Sequence, residues 1–184
     1  MDIEGKASLS AWEAYKTYRR VVGNKGSCGV DGIEVADLHE FLSMHQRDLV
    51  RDVLAEKYLP AAIRGVEIPK SIVKKRLLGI ATEVSRWLQQ AVSQHLITRF
   101  EIEFSDHSYG FRPKKNMQQA LQQSLAYINA GCSDIVDINL SKFFDEVAYY
   151  KILQLIFEKV KCATTLRLIR KLLRPPILVN GKLQ

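Results

Sequence analysis

The sequence predicts an α+β fold, rich in helix. Long stretches carry apolar residues at the spacing of one helix face. Between them lie short segments, 62–68, 76–80 and 135–140, in which apolar residues run together or alternate as in strands. One stretch, 23–32, reads GNKGSCGVDG, with four glycines in ten residues, and must be a loop. With 184 residues, 47% of them hydrophobic and 26% charged, the chain holds one ordinary domain or two small lobes.

In chain order, Trp12, Tyr15, Tyr18 and Val22 predict a helix over 8–22, capped by Ser8 or Ser10. After the glycine loop, Asp37 is placed to cap a second helix carrying Leu38, Phe41, Leu42, Leu49, Val53 and Leu54, which Tyr58-Leu59-Pro60 ends. Strands at 62–68 and 76–80 flank the short basic PKSIVKK and read as a hairpin, with Pro69 closing the first. Val84, Leu88, Ala91, Val92, Leu96 and Phe100 predict an amphipathic helix over 84–100. Pro113 suits the first turn of a further helix through Met117, Leu121, Leu125 and Ile128, which Gly131 stops.

In SDIVDINLSKFFD the alternation predicts a strand over 135–140, with Val136, Ile138 and Leu140 toward a core. Asp137 and Asn139 then share the other face with Ile135. That face is either a solvent-facing site or the wet side of an ordinary antiparallel strand. Helices at 148–160 and 163–174 follow, and Pro175-Pro176 stop the second. ILVNGKL reads as a hairpin around Asn180-Gly181.

Lysine and arginine outnumber aspartate and glutamate by 27 to 20. A net +7 makes a polyanion, most simply a nucleic acid, the first partner to consider. The charge is concentrated: residues 60–80 carry +4 and residues 151–184 carry +7, while the rest is mildly acidic. Each basic stretch is either a solvated face or a phosphate-contacting one. No apolar run approaches the roughly 20 residues of a membrane span, so no membrane partner is expected. Cys28, Cys132 and Cys162 lie too far apart for paired zinc ligands or a disulfide framework, and a reducing cytoplasm is the expected compartment.

Four blocks occur in order: GVDG at 29–32, GVEIPKSIVKKRLLGI at 65–80, FSDHSYGFRPKKNMQQAL at 104–121 and DIVDINLSKFFDEV at 134–147. Together they resemble the N-terminal half of a group II intron-encoded reverse transcriptase, or maturase. The resemblance implies right-hand polymerase fingers with the start of a palm sheet. Residues 1–59 would be an N-terminal extension, 60–130 fingers and 131–184 a partial palm. It implies template or intron RNA, a DNA primer and a deoxynucleoside triphosphate as partners. Lys70 and Arg76 match the cations that meet the triphosphate, a role suited to the arginine fork. Arg112 matches a position lining the template and nucleotide pocket, or is a buried structural arginine. Phe144 matches the aromatic residue that packs under the sugar, and one of the pair Phe143-Phe144 is core. Gly29 and Asp31 in the glycine loop, with Lys74 and Lys75, are the RNA-contacting candidates that the resemblance implies; a purely structural turn competes for the loop, and a solvated hairpin charge for each of the two lysines.

The family uses magnesium, held by carboxylates and by the backbone carbonyl at the position of Leu140. The position matching its first carboxylate, five residues before Phe144, is Asn139, whose amide carries no charge. Asp137 shares the face but is about 7 Å out of register. After Asp145 no aspartate follows, so the family's later Asp-Asp hairpin is expected to be missing here. Leu77 stands where proline usually follows the arginine, and Ala148-Tyr149-Tyr150 where an Asn-His-Asp type of sequence is common. The resulting expectation is an RNA-directed DNA polymerase's N-terminal part that does not polymerise as this chain. The alternatives are a non-catalytic module gripping intron RNA, and a homodimer formed through an unpaired strand edge.

Overall fold

The computed structural model of the chain describes residues 11–69, 75–141 and 143–183. Ser8 and Ser10, proposed as caps, and Lys70 and Lys74 lie outside the described residues. The chain divides into two compact units, Met1–Leu96 with Tyr149–Gln184, and Ile97–Ala148.

In the first unit, α1 (Ala11–Gly23), α2 (Leu38–Leu54) and the start of α3 (Glu83–Phe100) supply the core. Ala14, Val21, Leu38, Leu42, Trp87 and Leu88 are buried together, with Tyr18, Leu49, Val53 and Tyr58 packed against them. The buried face of α1 is Ala14, Thr17 and Val21, with Tyr18 packed against the core, while Tyr15 is 48% exposed. Small side chains at 14 and 17 bury easily, and the Thr17 hydroxyl is satisfied, donating to the Glu13 carbonyl (2.8 Å) with the Gln94 side-chain amide 3.1 Å from its oxygen. Asp37 does precede α2, but its carboxylate accepts from the Glu34 N–H (3.3 Å) and caps no helical amide. The helix also stops short of Tyr58. Glu56 takes a left-handed φ of 58°, and the Lys57 and Tyr58 amides turn back to the Asp52 carbonyl.

The sheet has strand order β2-β1-β3-β4. β1 (Ile63–Pro69) and β2 (Lys75–Ile80) form the expected antiparallel pair, with Arg64 opposite Ile80 and Ile68 opposite Arg76. β3 (Ile177–Val179) lies parallel to β1, and β4 (Lys182–Leu183) folds back on it. Asn180 and Gly181 have φ of 49° and 78°, as a two-residue hairpin of this hand requires. Gly65 faces Gly79 across the first pair. A Cβ on Gly65 would stand 2.6 Å from Val179 Cγ2, so the bare backbone lets β3 close on β1. α6 (Tyr149–Val160) and α7 (Ala163–Leu172) form a helical hairpin that buries Ile156, Val160, Cys162 and Ile169.

The second unit holds the end of α3, a 3₁₀ turn (Glu101–Glu103), α4 (Met117–Asn129) and the short α5 (Phe143–Glu146). α4 begins four residues after Pro113. Phe111 and Lys114 have φ of 55° and 61°, which no helix tolerates. The start is set instead by a capping box: Asn116 Oδ1 accepts from the Gln119 amide and Gln119 Oε1 from the Asn116 amide, both at 2.9 Å. The end at Gly131 is as expected. Its φ is 96°, and the amides of Gly131 and Cys132 reach back to the Ile128 and Tyr127 carbonyls in a Schellman closure.

The predicted strand at 135–140 does not form. Ile135, Val136 and Ile138 are each more than 80% exposed, and Leu140 is 64% exposed, so none enters a core. A strand requires a partner edge for its amides and carbonyls, and among the described residues nothing pairs with this segment. The palm sheet that the resemblance implies is therefore not present among the described residues.

Candidate nucleic-acid interface

The glycine-rich loop 24–32 is fastened at three points. At Ser27 the carbonyl accepts from Arg86 Nη2 (2.6 Å). The Cys28 thiol lies against Arg64 Nη1 at 3.9 Å. Gly29 is buried on the backbone of Thr82, where an added Cβ would come within 2.7 Å of the Thr82 Cα. Asn24, Lys25, Ser27, Asp31 and Gly32 stay exposed. Asp31 Oδ1 accepts from the Ile33 amide (3.3 Å), which shapes the loop's exit.

Thr82 also begins α3. Its Oγ1 accepts from the Ser85 amide (3.3 Å) and donates to Ser85 Oγ (3.0 Å), and Tyr58 OH meets the same Ser85 Oγ at 3.2 Å. Glu83 follows at zero exposure. Its Oε1 pairs with Arg86 Nη1, and its Oε2 has no hydrogen-bond partner among the described residues. Burial raises the Glu83 pKa above the ordinary carboxyl value; Arg86 opposes that shift and Asp31 adds to it.

The register of the β1–β2 hairpin sorts its cations. Side chains opposite each other in the pair share a face, so Arg76, Ile68, Leu78, Val66, Ile80 and Arg64 lie on one side. Arg64 on that side is the residue that holds Cys28 of the glycine loop. Arg76 is exposed on the same side. Lys75 lies on the opposite face, paired with Glu67 at 2.8 Å, and that contact raises its pKa. Arg76 and the glycine loop are thus brought to one side of the sheet, and Lys75 is not.

In the second unit, Arg112 is 7% exposed and heavily engaged. Nε and Nη2 donate to Glu101 Oε1 at 3.1 and 2.8 Å, and Nη1 donates to the Ser105 and Ser108 carbonyls at 2.5 and 2.9 Å. The guanidinium also lies 5.3 Å from the Phe104 ring centre. This geometry staples residues 101–112 into one loop. Asn139 and Leu140 are exposed in the irregular segment. Phe144 is 82% exposed and meets Phe143 edge-to-face at 5.5 Å; Phe143 is itself 49% exposed, so neither ring is core.

A magnesium pair requires clustered carboxylate oxygens. Asn139 offers one neutral amide oxygen, and among the described residues no three His, Cys, Asp or Glu side chains gather where a metal ion could be held. Among the described residues the donors do not fit a magnesium site.

No family model matches the chain. Individual proteins do. It is 29% identical over 167 residues to the group II intron-encoded protein LtrA of Lactococcus lactis subsp. cremoris, covering 90% of this chain and 28% of that protein. Its relatives include group II intron-encoded proteins. The putative COX1/OXI3 intron 2 protein of Saccharomyces cerevisiae is 27% identical over 165 residues, covering 88% of the chain and 18% of that protein. Protein YkfC of Escherichia coli is 28% identical over 151 residues, covering 79% of the chain and 39% of that protein. The chain therefore spans well under half the length of these intron-encoded relatives and of YkfC.

The basic C-terminal segment is less available than its +7 suggests. Arg167 pairs with Glu56, Lys171 donates to the Glu56 and Tyr58 carbonyls at 2.6 and 2.9 Å, and Arg174 lies 5.5 Å from the Tyr149 ring centre. Sequence reading missed Arg64, Glu83 and Arg86 as the residues that fix the loop. The signal for the last two was present, an acidic and a basic residue three apart in the first turn of a helix. Among the described residues no helix is long and apolar enough to cross a membrane.

Proposed function

We propose that this chain is an RNA-binding part of a reverse transcriptase- or maturase-related protein, and that the sheet face carrying Arg76 with the glycine loop is its RNA contact. The observation that carries the reading is that the strand register and the Arg64–Cys28 contact bring Arg76 and the loop to one side of the sheet, while Lys75 pairs with Glu67 on the other. Arg76 presents a planar fork to phosphate oxygens, and Lys25 adds a cation from the loop. The intron-encoded relatives make structured intron RNA or a template RNA the natural ligand. Lys70 and Lys74, with Arg76, extend the same proposal to a triphosphate or RNA backbone, and the DNA primer belongs with it.

Arg112 acts in this reading by shaping the 101–112 loop, and Phe144 offers an exposed ring for stacking on a base or sugar. Polymerisation by this chain alone is not proposed, because Asn139 stands at the first carboxylate position and the described residues gather no carboxylate cluster. The test is binding of single-stranded and structured RNA at several salt concentrations, beside primer extension with RNA template, deoxynucleotides and magnesium. Affinity that falls as salt rises, with no extension, is the expected result. Salt-independent or absent binding overturns the RNA reading, and robust extension overturns the non-catalytic one.

A further inference from the structure

The contacts around Ser27 join the glycine loop to a side chain that the RNA reading does not itself require. The guanidinium of Arg86 spans two partners: Nη1 pairs with the buried Glu83 and Nη2 donates to the Ser27 carbonyl at 2.6 Å. Glu83 is fully buried at the first turn of α3, beside the core residues Trp87 and Leu88. It therefore holds Arg86 against a rigid element, and Arg86 in turn holds the loop. The loop leaves space for this contact: a Cβ on Gly26 would fall on the Arg86 guanidinium, and one on Gly29 would strike Thr82. Two of the four glycines are thus explained by the approach of loop to helix.

We infer that Arg86 is a positioning residue for RNA binding, oriented by Glu83 and holding the loop 24–32 in the shape that presents Lys25 and Asp31. The inference rests on the proposal that this loop meets RNA. A loop of this length with four exposed polar residues and several glycines has many conformations when released. RNA affinity then falls in proportion to the fraction of molecules whose loop keeps the binding shape. An arginine is required because its planar fork reaches carboxylate and carbonyl together, which a lysine's single ammonium does in a much looser geometry.

The experiment compares the unaltered chain with Arg86→Met, Arg86→Lys and Gly26→Ala. Hydrogen exchange of amides 24–32 is read against amides 84–96, together with the dissociation constant for a single-stranded RNA oligonucleotide at fixed salt. In Arg86→Met, loop exchange is expected to rise about tenfold while the α3 amides hold. RNA affinity is expected to fall about threefold to tenfold. Arg86→Lys keeps the charge and is expected to follow Arg86→Met, which separates a clamp from a simple charge contribution. Gly26→Ala displaces the guanidinium without removing it and is expected to loosen the same amides, which keeps the test decisive if the Arg86 variants fold poorly. Unchanged loop exchange in Arg86→Met and Gly26→Ala overturns the inference, as does an Arg86→Lys protein with full affinity. Should the unaltered chain bind no RNA, the proposed function fails, and loop exchange alone then decides whether the clamp exists.

Discussion

At the scale of single residues, Glu83 shows how burial and pairing compete. Its carboxyl is sealed in the first unit, and burial outweighs the pull of Arg86, so its pKa stands above that of the unfolded chain. The sign follows from linkage. Below the unfolded carboxyl pKa, both states hold the proton and this group's contribution to stability is full. As pH rises from there through the raised folded pKa, the unfolded state releases its proton first and that contribution is lost. Glu83→Gln removes the titration, so the stability difference between variant and parent shifts toward the variant as pH climbs through that window. Urea unfolding at a series of pH values measures it. A parent-to-variant difference that stays flat, or runs the other way, would show that the ion pair with Arg86 dominates. Asn116 presents a simpler case, because its amide side chain is half of the capping box that starts α4. Asn116→Ala is expected to lower helix stability by about 1 kcal/mol, read as lost helical signal and faster exchange at the Gln119 amide.

Among the secondary-structure elements, what the sequence disclosed depended on whether the deciding forces were local. The β1–β2 hairpin, the Asn180-Gly181 turn and the Gly131 stop all rest on residues a few positions apart, and all formed as expected. The start of α4 was misplaced because Pro113 permits a helix without compelling one, whereas Lys114 in a left-handed conformation forbids it. The helical spacing in α1 announced the helix but not its buried face, which packing against the rest of the unit set at Ala14, Thr17 and Val21. The segment 135–140 has the alternation of a strand, but alternation states only which side chains share a face; the partner edge is a nonlocal condition. The parallel pairing of β3 with β1 was equally invisible, since about 110 residues separate them in the chain. That pairing depends on Gly65, whose missing side chain admits Val179 and Ile177. Gly65→Ala is expected to destabilise the first unit by about 1–3 kcal/mol through overpacking, seen as a lower thermal midpoint. A midpoint equal to the parent's would show that β3 can move aside at little cost.

For the whole molecule, formal charge and usable charge point to different places. Counted along the chain, residues 151–184 with their +7 would dominate any encounter with a polyanion, ahead of the +4 stretch at 60–80. In the fold, Arg167 and Lys171 hold the turn after α2, and Arg174 lies by Tyr149, so these three cations serve the structure. Arg76 is exposed on the face that carries the glycine loop. A lysine bonded to two carbonyls gives up those bonds only at a cost in stability, whereas an exposed arginine fork meets a phosphate at little cost to the fold. Arg76→Ala is therefore expected to weaken RNA binding and to reduce the slope of log affinity against log salt by about 0.7, one phosphate contact on a single strand. Lys75→Ala is expected to change the slope little, since Lys75 pairs with Glu67 on the other face. Lys171→Met is expected to lower the thermal midpoint while the slope stays near that of the parent. Fluorescence anisotropy titrations at four or more salt concentrations, with thermal melts of the same proteins, separate the three. A slope that drops in Lys171→Met and holds in Arg76→Ala would move the RNA contact to the C-terminal helices and away from the hairpin.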